Sequence, residues 1–181
     1  MSDPQKHTPS DGETAVTAHS QPDTDNSDRL AAAKAALTRA DDLARQSDLS
    51  ACKQVVAEFG QDTDSAIREC AARAAFRIAW NLAGQGDFST HPQAIAQFGQ
   101  DTDGNIRRLI AGCAFRLAEH LAKQGDFSAY KQAMAQFGQD KETYVRAHAA
   151  DLALYWVANP LAQQGDFSAY PPIVAQFGQD T

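Results

Sequence analysis

The chain has 181 residues and a formal net charge of −7. That length suffices for one domain with a real core, and the acidic balance argues against the basic face of a nucleic-acid binder. Three scattered cysteines, Cys52, Cys70 and Cys113, form no CxxC pair, and no apolar run is long enough to span a bilayer.

Residues 1–27 are rich in Ser, Thr, Asp, Pro and Gln, with Lys6 as their only Lys or Arg. Such a segment buries too little apolar surface to offset its ordering entropy, so a disordered acidic tail is expected. It has neither the basic start nor the apolar stretch of a secretion signal. With the reduced-thiol pattern, this gives the expectation of a cytoplasmic protein.

From residue 28 onward two phrases recur in step. Phe-Gly-Gln-Asp starts at Phe59, Phe98, Phe137 and Phe177, with spacings of 39, 39 and 40. The turn phrase Ser47-Asp48-Leu49-Ser50 returns as Gly86-Asp87-Phe88-Ser89, Gly125-Asp126-Phe127-Ser128 and Gly165-Asp166-Phe167-Ser168. A fixed period of this size marks a tandem array of one supersecondary unit. The units run over residues 28–63, 64–102, 103–141 and 142–181.

Each unit reads as two helices. Over Asp64–Ala83 the apolar positions Ile67, Ala71, Ala74, Ala75, Ile78, Ala79 and Leu82 form one helical stripe. Gly84 and Gly86 stop that helix, Asp87 or Ser89 caps the next, and Thr90–Phe98 forms a short helix that tolerates Pro92 in its first turn. Gly99 then ends it, and Gly99 and Gly138 are expected in left-handed backbone. Ile106, Ile110, Ala114, Leu117, Ala118 and Leu121 repeat the stripe, as do Val145, Ala149, Leu152, Ala153 and Trp156. The first stripe, Ala32, Ala36, Leu37, Ala40 and Leu43, is weaker. The fourth unit carries one extra residue near Asn159-Pro160, where its long helix should end or kink. The architecture expected is all-α: a right-handed α-solenoid of about four helix-turn-helix repeats behind a disordered tail.

The Gly-Asp-Phe turn and the ending Ala-Gln-Phe-Gly-Gln-Asp carry a resemblance. From residue 28 to 181 the chain resembles bacterial TPR-like (tetratricopeptide-like) arrays, whose period is also near forty. The interval from Gly86 to Phe98 is about one turn shorter than in such repeats, and Ala and Ile replace the usual Trp, Leu-Gly and Tyr. HEAT-like stacking is the second resemblance. Both imply an interaction scaffold rather than an enzyme.

Four arginines share one position: Arg29, Arg68, Arg107 and Arg146. Asp25, Asp64, Asp103 and Glu142 stand four residues before them. One reading makes these local i,i+4 staples at helix starts. The other makes Arg68, Arg107 and Arg146 a guanidinium ladder for carboxylates of a partner. A second shared position reads Cys52, His91, Tyr130 and Tyr170; core packing and an aromatic contact for a ligand are its two readings.

Residues that break the repeat are the better candidates for a specific surface. Trp80 aligns with Glu119 and Ala158, and Arg77 and Arg116 align with Tyr155. Arg77, Trp80, Arg116, Glu119 and His120 are expected on one face of the long helices, as Trp and Arg are the usual anchors of interfaces. The five histidines share no metal spacing, and no nucleophile elbow or phosphate loop occurs. No catalytic, metal or cofactor-binding residue is therefore assigned. The expected function is a scaffold or adaptor for a protein or peptide partner, without nucleic acid, membrane or cofactor. The alternative is self-assembly through the flank of the last short helix, Ser168–Phe177, where no fifth unit follows to cover it.

Overall fold

The computed structural model describes residues 22–163, 165–167 and 169–177, and helices are the only regular structure among them. The long helices are α1 (Pro22–Ala44), α3 (Ser65–Gly84), α5 (Gly104–Ala122) and α7 (Thr143–Leu152). A π-helical segment, Ala153–Ala158, and α8 (Asn159–Gln163) continue α7. The short helices are α2 (Ser50–Phe59), α4 (His91–Phe98), α6 (Ser128–Phe137) and α9 (Tyr170–Phe177).

Helix α1 begins earlier than the sequence suggests. Residues 22–27, assigned to the tail, are helical, and Asn26 Nδ2 donates to Asp64 Oδ2 at 2.6 Å, giving this polar stretch a tertiary partner. The rest of the expected tail lies outside the described residues.

The turn phrase works through backbone geometry. The Asp87 amide donates to Leu82 O and the Gly86 amide to Ala83 O, with Gly86 at φ 81°. This is a Schellman end, which demands left-handed backbone at that residue. The same pair of bonds closes α1, α5 and α8, at Ser47, Gly125 and Gly165, and Ser47 holds φ 67°. Asp48, Asp87 and Asp126 then accept from the amides two residues on, so each forms an Asx turn rather than a helix cap.

Gly99 and Gly138 correct the expectation made for them. Both hold right-handed backbone, at φ −69° and −72°. The requirement at Gly99 is close approach: a Cβ there would lie 2.5 Å from Gln136 Nε2, which donates to Gly99 O at 2.9 Å.

Neighbouring helices pack in sequence order. Helix α1 packs on α2 and α3, α3 on α4 and α5, and α5 on α6, α7 and the π segment. Phe98, Phe137, Ile67, Ile106, Ile110 and Val145 fill the core. In α1 the buried positions are Ala33, Ala40 and Ala44, whereas Ala32 is exposed.

The extra residue of the fourth unit is absorbed without a break. The Asn159 amide donates to Leu154 O, five residues back. This wider turn accommodates one added residue, and Pro160, which has no amide hydrogen, follows directly. The wider turn also changes which way the helix faces. Val157 and Ala158 are buried, while Trp156, assigned to the buried stripe by the sequence, is only partly buried against the edge of the core.

Candidate functional site

The repeated arginines are structural. Arg107 Nε and Nη2 grip Asp140 at 2.6 and 2.7 Å, and its Nη1 donates to Asp101 O and Thr102 O. Arg68 grips Asp101 at 2.8 Å through both nitrogens and donates to Asp62 O and Thr63 O. Arg29 pairs with Asp62. The partner is therefore the aspartate of the Phe-Gly-Gln-Asp phrase 33 residues away, not the acid four residues before. Those nearer acids serve elsewhere: Asp64 and Asp103 accept from the amides of Ala66 and Asn105 as helix N-caps. Both sequence readings of the ladder are thus corrected for Arg68 and Arg107. Their charges are spent inside the chain, and Arg107 is only 6% exposed. The Arg68 hydrogen bond holds the Asp101 carboxyl below its usual range. At Asp140, burial pushes the carboxyl up, and the bonds from Arg107 and the Glu142 amide more than offset it. Arg146 donates to Asp140 O and Thr143 Oγ1; Asp180 lies outside the described residues.

The Cys52/His91/Tyr130/Tyr170 position is also core. Cys52, His91 and Tyr130 are buried, and Tyr130 Oη donates to Ala169 O of the next unit. Tyr170, at the rim, donates to Asn159 Oδ1. Imidazole is shorter than phenol, and His91 Nδ1 is buried without a hydrogen-bond partner. Burial holds its pKa down.

The non-repeating residues divide into two groups. Arg77 turns to α1 and pairs with Asp41 at 3.0 Å. His120 stacks on Phe88, with ring centroids 3.9 Å apart. Neither joins Trp80, so the single face expected for these residues is corrected. Trp80, Arg116 and Glu119 do come together, and two further aromatic residues join them.

Helix α3 presents Phe76 and Trp80 one turn apart, with stacked rings at 5.6 Å. Trp156, from the π segment, meets Trp80 edge-on at 5.4 Å. The two indoles therefore touch across α5. The floor there is shaped by Gly112, where a Cβ would lie 3.0 Å from the Phe76 ring. Arg116 rises from α5 one turn later, its guanidinium 5.5 Å from the Trp80 centroid and 4.6 Å from that of Trp156. Glu119 accepts from Arg116 at 2.6 Å and from Lys123 at 2.7 Å, fixing the guanidinium between the rings.

Two hollows flank the indole pair. One, of about 550 Å³, is bounded by Trp80, Arg116, Glu119, Tyr155, Trp156 and Gln163. The other, of about 380 Å³, has Phe76, Trp80 and Trp156 at one end and Arg73, Arg108 and His148 at the other. Together they make a trough along the long-helix side. Trp80 and Tyr155 remain 43% and 71% exposed, although aromatic side chains of this size usually bury most of their area. Two hollows on the short-helix side, at α2–α4 and α4–α6, are smaller, about 190 and 260 Å³, and one between α1 and α2, of about 510 Å³, is lined by Arg39, Asp48, Gln54 and Glu58 among others and by no aromatic residue.

Sequence reasoning missed Phe76, Trp156, Arg108 and His148. The i,i+4 spacing of Phe76 and Trp80 was available as a signal. Nothing in the repeat pattern marks Trp156, because the π segment changes its facing. No family model, no curated protein and no solved structure matches the chain.

Proposed function

We propose that the chain is an interaction scaffold: a right-handed α-solenoid of four helix-pair units, TPR-like in plan with HEAT-like stacking as the second choice. It receives a protein or peptide partner in the long-helix trough, without catalysis or cofactor, in the cytoplasm. The sequential packing of α1, α3, α5 and α7 supports the solenoid, as do the Arg–Asp ties that join one unit to the next. The observation that carries the binding role is the exposed Trp80, paired with Trp156 around Arg116. An exposed Trp and a half-buried Arg share one hollow here, and Trp and Arg are the groups that dominate interface energetics. No helix among the described residues is long and apolar enough to cross a membrane.

The test is affinity capture with the full chain as bait. Proteins retained by the wild type should be lost from Trp80→Ala and Arg116→Ala, yet kept by Arg45→Ala, which changes a 69%-exposed side chain on the turn after α1. Identical captures on all four baits would remove the trough from the account. A second reading, self-assembly, draws on the exposed Phe167 and Val174 beside and within α9. Sedimentation equilibrium decides it: a monomer at every concentration excludes assembly through that end.

A further inference from the structure

We propose that the trough selects an acidic peptide segment: a bulky apolar side chain sits against Phe76, Trp80 and Trp156, and a neighbouring carboxylate docks on Arg108 beside His148. This rests on the peptide-binding reading above and names the chemistry of the partner.

The smaller hollow has two unlike ends. Its aromatic end is continuous from Phe76 to Trp156 and is partly open to solvent. Its other end carries the charge, contributed by three helices. From α3 come Arg73 and Glu69, already paired with each other at 2.6 Å. From α5 comes Arg108, exposed and without an ion pair among the described residues. From α7 comes half-buried His148, with Asp151 one turn further along. Burial, and after it the Arg108 cation, hold His148 below its usual pKa, despite Asp151. An exposed guanidinium without an ion pair thus stands near a half-buried imidazole, and an incoming carboxylate would meet both.

Charge supports the same occupant. The chain as a whole carries −7, so an acidic ligand is repelled by most of the surface and attracted at this end of the trough. Complementarity of that kind favours register and specificity over general stickiness. A polyanion such as a nucleic acid needs several free cations along its path, whereas Arg73 and Arg116 of the two hollows are already paired. A short peptide can place one carboxylate on Arg108 and the side chain two residues on, about 7 Å further along an extended chain and on the same face, against the indoles.

The experiment uses fluorescein-labelled octapeptides and the full-length protein, read by anisotropy at low salt. The probes are two copies each of Leu-Ser-Glu-Ser, Leu-Ser-Gln-Ser, Leu-Ser-Lys-Ser and Ser-Ser-Glu-Ser, which keep the paired side chains two residues apart on one face; a labelled octathymidylate is the fifth. The wild type should bind the leucine–glutamate probe at least about tenfold more tightly than each of the others, the lower end of what one charge-assisted contact contributes. Arg108→Gln should reduce the leucine–glutamate preference over leucine–glutamine to within about twofold. Trp80→Ala should weaken both. Circular dichroism should show both variants folded. Equal binding of the glutamate and glutamine probes, still lost in Trp80→Ala, would overturn acid selection and leave the scaffold reading in place. Failure to bind any peptide, or binding unaffected by Trp80→Ala, would overturn both. Octathymidylate binding as tight as that of the leucine–glutamate probe would reassign the trough to nucleic acid.

Discussion

Replacing Arg107 by alanine should cost about 3–5 kcal/mol of folding stability, the range for breaking one side of a buried ion pair. The structure sets that size. Arg107 makes four hydrogen bonds: two to Asp140, at 2.6 and 2.7 Å, and two to the carbonyls of Asp101 and Thr102, at 2.7 and 3.0 Å. Both charged side chains are 7% exposed. Without the guanidinium, Asp140 keeps a charge that its surroundings no longer balance, and two carbonyls lose their donor. The comparison is Arg73→Ala, whose 59%-exposed side chain pairs with Glu69 at i,i+4. That change should cost about 0.5 kcal/mol or less. Urea unfolding at neutral pH measures both. A double-mutant cycle then locates the partner. Arg107→Ala with Asp140→Ala should show coupling of about 2 kcal/mol or more. Arg107→Ala with Asp103→Ala should be nearly additive, because Asp103 acts as an N-cap. Coupling to Asp103 instead of Asp140, or a loss under about 1 kcal/mol for Arg107→Ala, would refute the cross-unit tie.

Phe98→Ala should cost about 3–5 kcal/mol, since the ring is 1% exposed; an unchanged melting curve would show that the residue is not core. Ser47→Gly should stabilise the chain by roughly 0.5–1 kcal/mol, because Ser47 holds the left-handed position that glycine fills in the other turns; destabilisation would mean that its φ of 67° is wrong. Burial lowers the pKa of His91 in the folded state. As pH falls, the unfolded chain therefore binds this proton first. The stability tied to a neutral His91 is complete above about pH 6.5 and is lost below it. His91→Leu should flatten the slope of unfolding free energy between about pH 5 and 7, while half-buried His148, shifted the same way, keeps part of it. A wild-type protein that gains stability on acidification through that window would contradict the assignment.

The helices were legible because their signals are local. A 3.6-residue stripe located α3 and α5, the glycines of the turn phrase marked where α3 stops, and Phe98 and Phe137 are buried where the short helices end. What failed was non-local. An acid four residues before Arg68 and Arg107 satisfies the rule for a helical pair, but Asp64 and Asp103 are taken as N-caps. The competing carboxylate comes from 33 residues away, which spacing along one helix cannot reveal. Gly99 was read through backbone freedom, whereas Gln136 of the next unit needs the space. Trp156 followed the apolar pattern and was placed in the core. The single added residue became a wider turn, which brought that indole to Trp80. The irregular residues were sound pointers to the trough only in part: Trp80 and Arg116 reached it, and Arg77 and His120 found partners elsewhere.

Trp80 and Trp156 are the chain's two tryptophans, and both line the trough. Fluorine NMR of protein labelled with 5-fluorotryptophan therefore reports on the proposed site and nothing else. Trp80→Phe assigns the two resonances. Titration with the leucine–glutamate octapeptide should move both signals saturably, along one binding curve. If that peptide binds, as judged by its own anisotropy, while both fluorine signals stay fixed, the trough is not where this protein meets its partner.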